Sequence, residues 1–185
     1  ATSAATISER NTSTATNYTK TGTGTWTLSG SGSWNGGTVI EQGNLKLTGS
    51  FACAGATQIQ SGAALRVEGG SFTTESIALA TGATMYGWGS VTAALNAGGT
   101  VAGRGVSSGT AGTLAVQGSV FFGADSLTRM RAGLSSDRID VTGDLALDGT
   151  LQVSLAPGTG FGRYRLLSAT GAITGIISDR ASWSS

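Results

Sequence analysis

Gly24-Thr25-Trp26-Thr27-Leu28-Ser29-Gly30, Gly43-Asn44-Leu45-Lys46-Leu47-Thr48-Gly49 and Ala64-Leu65-Arg66-Val67-Glu68-Gly69 share one design. Apolar residues alternate with polar ones, and a glycine closes each run. Period-two alternation puts the apolar side chains on one face of a strand, and the closing glycine marks a turn. Gly112-Thr113-Leu114-Ala115-Val116-Gln117-Gly118, Ile139-Asp140-Val141-Thr142-Gly143 and Gly149-Thr150-Leu151-Gln152-Val153-Ser154-Leu155 repeat the design further on. No window of comparable quality shows the helical period, so an all-β fold is expected.

The spacing of the blocks narrows the architecture. Leu28, Leu47 and Val67 stand 19 and 20 residues apart, and Val101 and Val116 stand 15 apart. Short strands recurring near this interval without a helical segment fit one coil of a β-solenoid better than a sandwich. With strands stacked roughly 4.8 Å apart, about nine coils would make a rod about 40 Å long. Each coil would bury its Leu, Ile or Val against the same position in the coils above and below. Gly36-Gly37, Gly69-Gly70 and Gly98-Gly99 are the expected corners, because glycine adopts the left-handed backbone that sharp bends demand.

Composition supports folding and removes several function classes. Charged residues are 11% of the 185, glycines number 31, and the net charge of +1 supplies no self-repulsion to hold the chain open. The single proline, Pro157, leaves almost every backbone donor free for sheet pairing. Eleven Lys and Arg against ten Asp and Glu give no basic stripe for nucleic acid. Cys53 stands alone, so no internal disulfide forms; its neighbours are small and apolar, which predicts a buried, inert thiol.

Histidine is absent, which removes Ser-His-Asp and Cys-His catalysis and most zinc sites. Asp137, Asp140, Asp144 and Asp148 are the only carboxylate cluster. Paired carboxylates cleave glycosidic bonds, but Asp140 alternates with Ile139 and Val141 and so faces solvent, while Asp144 and Asp148 flank a strand at turns. The cluster also lacks the Gly-rich calcium nonapeptide. No catalytic, cofactor or metal site is expected. Trp26 shares the parity of Leu28 and is expected in the core. Trp34 and Trp88 are expected to be partly exposed and are the candidate ligand contacts. Phe121-Phe122 should place one ring inside and one outside, and Arg129 and Arg131 should lie on the polar face around Met130. Asn11-Thr12-Ser13 and Asn17-Tyr18-Thr19 match glycosylation acceptors in form only.

Two stretches carry a family resemblance. Lys20-Thr21-Gly22-Thr23-Gly24-Thr25-Trp26-Thr27-Leu28-Ser29-Gly30, then Trp34-Asn35-Gly36-Gly37-Thr38 and Gly43-Asn44-Leu45, within 17–49, resembles the autotransporter-associated β-strand repeat. Trp26 stands where that repeat more often has an aliphatic residue. Gly112-Thr113-Leu114, Ser136-Asp137-Arg138-Ile139-Asp140-Val141, Leu147-Asp148-Gly149-Thr150-Leu151, Tyr164-Arg165-Leu166-Leu167 and Ile173-Thr174-Gly175 look like the autochaperone end of an autotransporter passenger. Here Ala111-Gly112 replaces the Pro-Gly common before the first of these strands.

The resemblance implies a right-handed, single-stranded parallel β-helix with a C-terminal capping segment. It implies coils over 1–111 and an autochaperone-like end over 112–185. It also implies a non-enzymatic stalk and folding module, exported through the periplasm and an outer-membrane barrel to the bacterial surface, where it stays attached to the outer membrane or is secreted; the alternative is an adhesin contacting host protein or glycan. The expected partners are the chain's own translocator barrel, outer-membrane assembly factors and host surface molecules, with no nucleic acid and a monomeric state. No barrel strands follow Trp183-Ser184-Ser185, so a longer polypeptide is expected. From Leu151 onward Pro157-Gly158 is expected to break the rung, and Leu151, Val153, Leu155, Tyr164, Leu166, Leu167 and Ile173 are the expected folding and capping residues. Phe161, Ile176 and Ile177 extend this apolar run.

Overall fold

The computed structural model describes residues 2–3, 7–8, 15–104, 110–160 and 162–179. The chain winds over three faces. Face one stacks β1 (Thr2–Ser3), β4 (Thr25–Leu28), β7 (Asn44–Leu47), β10 (Ala64–Val67), β12 (Thr84–Gly87), β14 (Thr100–Gly103), β17 (Leu127–Ala132), β20 (Thr150–Leu155) and β23 (Ser178–Asp179). Face two carries β2 (Ile7–Ser8), β5 (Ser31–Trp34), β8 (Ser50–Cys53), β15 (Thr113–Gln117), β18 (Arg138–Val141) and β21 (Leu167–Ala169). Face three carries β3 (Tyr18–Lys20), β6 (Thr38–Ile40), β9 (Thr57–Ile59), β16 (Val120–Phe122), β19 (Leu145–Leu147) and β22 (Ile173–Gly175). Two long strands, β11 (Ser71–Leu79) and β13 (Ser90–Ala97), run across faces two and three and fuse them into one 14-stranded sheet.

Among the described residues every strand pairs in parallel with the strand one coil away, as in β4 on β7, β7 on β10 and β17 on β20. The fold is a single-stranded parallel β-helix. Among the described residues face one holds nine strands, in line with the expected number of coils.

The core consists of columns of stacked side chains. Trp26, Leu45, Leu65, Met85 and Val101 stand in register on face one, followed by Thr128 and Leu151. Phe51, Phe72, Val91, Val116 and Val141 do the same on face two. On face three the column runs Lys20, Ile40, Ile59, Leu79, Ala97, Phe122. Leu28, Leu47 and Val67 stack as their spacing requires. Val101 and Val116 do not: they lie on different faces, and the partner of Val116 is Val91. Coil length changes between them, because the connection from β14 to β15 spans 104–112 where earlier connections at that corner are as short as Ser29-Gly30 and Thr48-Gly49.

The three expected glycine pairs fall one at each of the three corners. The reason differs from the expected one at two of them. Only Gly69 has a left-handed backbone, at φ 76. At Gly99 a Cβ would press on the carbonyl oxygens of Ala80 and Ala83, and at Gly37 on that of Ala56, so glycine there permits close stacking of successive coils. The left-handed glycines instead recur at the corner from face three to face one, at Gly22, Gly43, Gly62, Gly82 and Gly149.

Candidate functional site

Lys20 stands in the interior column above Ile40 and Ile59 and exposes 0% of its surface. A buried ammonium is costly unless every donor is used. Nζ donates to the carbonyl oxygens of Thr21 at 2.7 Å, Gly22 at 2.6 Å and Gln42 at 2.9 Å, and lies 5.2 Å from the centre of the Trp26 ring. Gln42 belongs to the same corner one coil further along, so the lysine ties two successive corners together. Desolvation holds its pKa below the ordinary lysine value. The alternation of β3 and the intervals of 20 and 19 residues to Ile40 and Ile59 would have found this position.

Beside it the aromatic rings gather inside the winding. Trp34, expected at the surface, is only 5% exposed. It stacks on Tyr18 at 5.2 Å between ring centres and on Phe72 at 6.4 Å, and its Nε1 donates to Thr38 Oγ1 at 3.2 Å. Its aromatic–polar turn reads as exposed in sequence, yet strand parity places it above Cys53. Thr38 Oγ1 donates to Cys53 Sγ at 3.5 Å, Sγ lies 3.6 Å from Thr57 Oγ1, and Thr57 meets Thr74 at 3.0 Å. Cys53 is buried as expected, but it sits within a chain of hydroxyls rather than among apolar filler. Trp26 is half-buried against the core. Trp88 is half-buried too, and the Arg104 guanidinium covers one face of its ring at 4.1 Å.

The four aspartates act as acceptors for the backbone and for neighbouring coils. Asp137 is fully buried; Oδ1 accepts from Gly112 N at 3.2 Å and Oδ2 from Arg131 N at 3.0 Å. Asp140 Oδ1 accepts from Arg138 Nη2 at 2.9 Å and from Ser168 Oγ, one coil on, at 2.6 Å. Asp144 Oδ1 accepts from Ala172 N at 2.8 Å, and Asp148 Oδ1 from Gly149 N at 2.8 Å. Among the described residues no group of three or more His, Cys, Asp or Glu is placed to hold a metal ion. Asn17 Oδ1 accepts from Gly37 N at 2.8 Å and so belongs to the winding, while Asn11 lies outside the described residues.

Residues 19–47 match the family model described as passenger-associated-transport-repeat. They form an autotransporter passenger repeat. The chain is also 40% identical over 73 residues to the adhesin BmaC autotransporter of Brucella suis biovar 1 (strain 1330), a match covering 35% of this chain and 2% of that protein. The chain thus spans a small fraction of the relative's length. No solved structure matches. The passenger repeat runs from β3 through β7 and so makes about one and a half coils. Its Lys20 and Trp34 supply the interior contacts described above, its Gly43 the left-handed corner at φ 65, and its Leu28 and Leu47 the core.

The segment expected to cap the helix is one more coil of the same winding. β20 pairs with β17, β21 with β18 and β22 with β19. Pro157-Gly158 lies in the connection between β20 and β21, and the rung resumes after it, so the proline lengthens a corner rather than breaking the coil. Leu151, Leu166 and Leu167 are half-buried against the core, and Val153 and Tyr164 are half-buried as well. Leu155 is 43% exposed and Ile173 57%. Ile176 is exposed, and Phe161 lies outside the described residues.

Proposed function

We propose that this segment is a non-enzymatic stalk of an autotransporter passenger, and that its coils from residue 112 onward template the folding of the coils before them. In this reading the same polypeptide continues to an outer-membrane translocator, and the stalk is displayed on the cell surface. The observation that carries the reading is the pairing of β20 with β17: six consecutive residues in unbroken register, against four or fewer elsewhere on face one. The connections flanking that pair dock on each other, with Gly133 against Ala156 and Ala156 N donating to Ala132 O at 2.7 Å. A two-rung unit closed by its own connections offers a finished strand edge on which the next coil can pair, and a solenoid propagates from such an edge. Where no nucleotide energy is at hand outside the membrane, stepwise folding biases the chain outward.

Deletion of residues 145–185 tests this. The shortened chain should lose its sharp thermal transition and refold slowly. A melt as sharp as that of the whole chain, with unchanged refolding rate, would refute the template role. A second reading, a surface adhesin, is favoured by the likeness to the Brucella adhesin over 73 residues.

A further inference from the structure

The outward side of face three differs from the rest of the surface. On face one the outward column runs Thr27, Lys46, Arg66, Tyr86, and its polar groups satisfy one another: Lys46 and Arg66 both pair with Glu68, and Arg66 lies over the Tyr86 ring at 4.5 Å. On face two, Arg138, Asp140 and Ser168 are joined in the same way. The outward column of face three reads Thr19, Val39, Gln58, Ala78, Asn96, Phe121, Ala146, Thr174 and carries no charge. Between Gln58 and Asn96 the small Ala78 leaves a depression of about 460 Å³, bounded at one end by Phe121, which is 52% exposed, and at one side by Gln60. Gln58, Gln60 and Asn96 are exposed, and among the described residues none of their side-chain amides is engaged in a hydrogen bond.

We propose that this groove binds an uncharged oligosaccharide. The C–H face of a sugar ring stacks on an exposed aromatic ring, and its hydroxyls both donate and accept, as a carboxamide does. Gln58, Ala78, Asn96 and Phe121 are successive partners in the ladder, so the recess spans about three inter-strand steps, roughly 14 Å, along the helix axis. That length and straightness suit a short glycan rather than a compact ligand. The absence of any cation or anion in the lining gives no purchase to phosphate, sulfate or sialic acid. A mostly apolar floor with a few placed polar groups is the ordinary make-up of a small-molecule site. The site goes beyond the stalk reading and does not depend on it; it would give the adhesin reading a contact surface.

The test is a titration of the isotope-labelled chain with cellotetraose, maltotetraose, triacetylchitotriose and lacto-N-tetraose, following the side-chain amide signals of Gln58, Gln60 and Asn96 by NMR. At least one sugar should shift all three signals with a Kd near 1 mM, to order of magnitude (about −4 kcal/mol). Phe121→Ala and Asn96→Ala should each weaken that binding by about tenfold, and Ala78→Trp should abolish it by filling the recess, all with an unchanged thermal transition because the three positions point outward. The proposal is overturned if no sugar shifts the signals up to about 10 mM, if the shifts survive Phe121→Ala and Ala78→Trp, or if only sulfated or sialylated glycans bind. It is equally overturned if the groove instead joins two copies of the chain, seen as concentration-dependent sedimentation lost in Phe121→Ala. None of these failures alters the cooperative melt on which the stalk reading rests.

Discussion

The coils from Thr25 to Leu79 and those from Thr113 to Gly175 wind over the same three faces but are held together differently. In the first group the connections from face one to face two are short, such as Ser29-Gly30 and Thr48-Gly49, and the interior side chains stack with almost no exposure. In the second group the same corner opens into connections spanning 133–137 and 156–166, and the last coil leaves its apolar residues half exposed. There, aspartates join the coils, where the first group has the hydroxyls of Thr57 and Thr74: Asp137 to Gly112, Asp140 to Ser168 and Asp144 to Ala172. A winding with tight, repeated corners can rely on burial. One whose corners vary needs specific hydrogen bonds to hold neighbouring coils in register, since an unmatched backbone donor inside the fold is destabilising.

The largest test of that contrast lies within one column. Leu65→Ala, fully buried between Leu45 and Met85, should lower stability in urea unfolding by about 3 kcal/mol. Leu151→Ala, at the half-buried end of the same column, should cost about 1 kcal/mol. Equal losses would break the comparison. Next comes Asp137→Ala, which strands the amides of Gly112 and Arg131 and should cost about 2 kcal/mol, with Asp137→Asn costing less because it keeps an acceptor oxygen. In the regular coils Thr48→Ala removes only a 3.4 Å bond to Leu28 O and should cost about 0.5 kcal/mol in the same denaturant titration.

Glycine substitutions sharpen the picture of the tight corners. Gly99→Ala should destabilise by about 2 kcal/mol, since its new methyl meets two carbonyl oxygens of the preceding coil. Gly24→Ala, with nothing in reach, should stay within about 0.5 kcal/mol.

The smallest effect is in alkaline titration. Burial lowers the pKa of Lys20 below 10.5, so between that lowered value and 10.5 the unfolded chain binds more protons and stability rises with pH. Burial raises the phenol pKa of Tyr18 above 10.0. It does the same at Tyr86, where Arg66 acts in the opposite sense and Glu68 adds to the rise, so above pH 10.0 the folded chain holds more protons and stability falls. Lys20→Met should remove the rising limb and leave the falling one, read from unfolding midpoints across alkaline pH; a rising limb that persists would place its origin elsewhere.

Much of this architecture was legible in the sequence. The blocks around Leu28, Leu47 and Val67 became consecutive strands of face one, and Gly36-Gly37, Gly69-Gly70 and Gly98-Gly99 became three different corners. Phe122 turned in and Phe121 out. β11 and β13 were harder to read because Thr74, buried and bonded to Gly55 O at 2.7 Å, interrupts the apolar alternation where β11 carries an extra residue relative to β13. The pairing of Val101 with Val116 failed because the connection at 104–112 lengthens the coil between them. The exposure expected for Trp34 failed because a turn-like sequence context says nothing about which way the last residue of a strand points.

The amino-acid sequence by itself determined the parallel winding, because alternation sets the face of each side chain locally and a recurring interval sets which residues stack. Only the tertiary structure decided that Lys20 and Trp34 lie inside, that Asp137 serves two backbone amides, that Gly99 is needed for close approach, and that the amides of Gln58 and Asn96 share a neutral groove with Phe121. Each of these depends on what occupies the neighbouring coil, some 16 to 28 residues away in the chain. That register is fixed by the length of every corner in between, a property no single stretch of sequence contains.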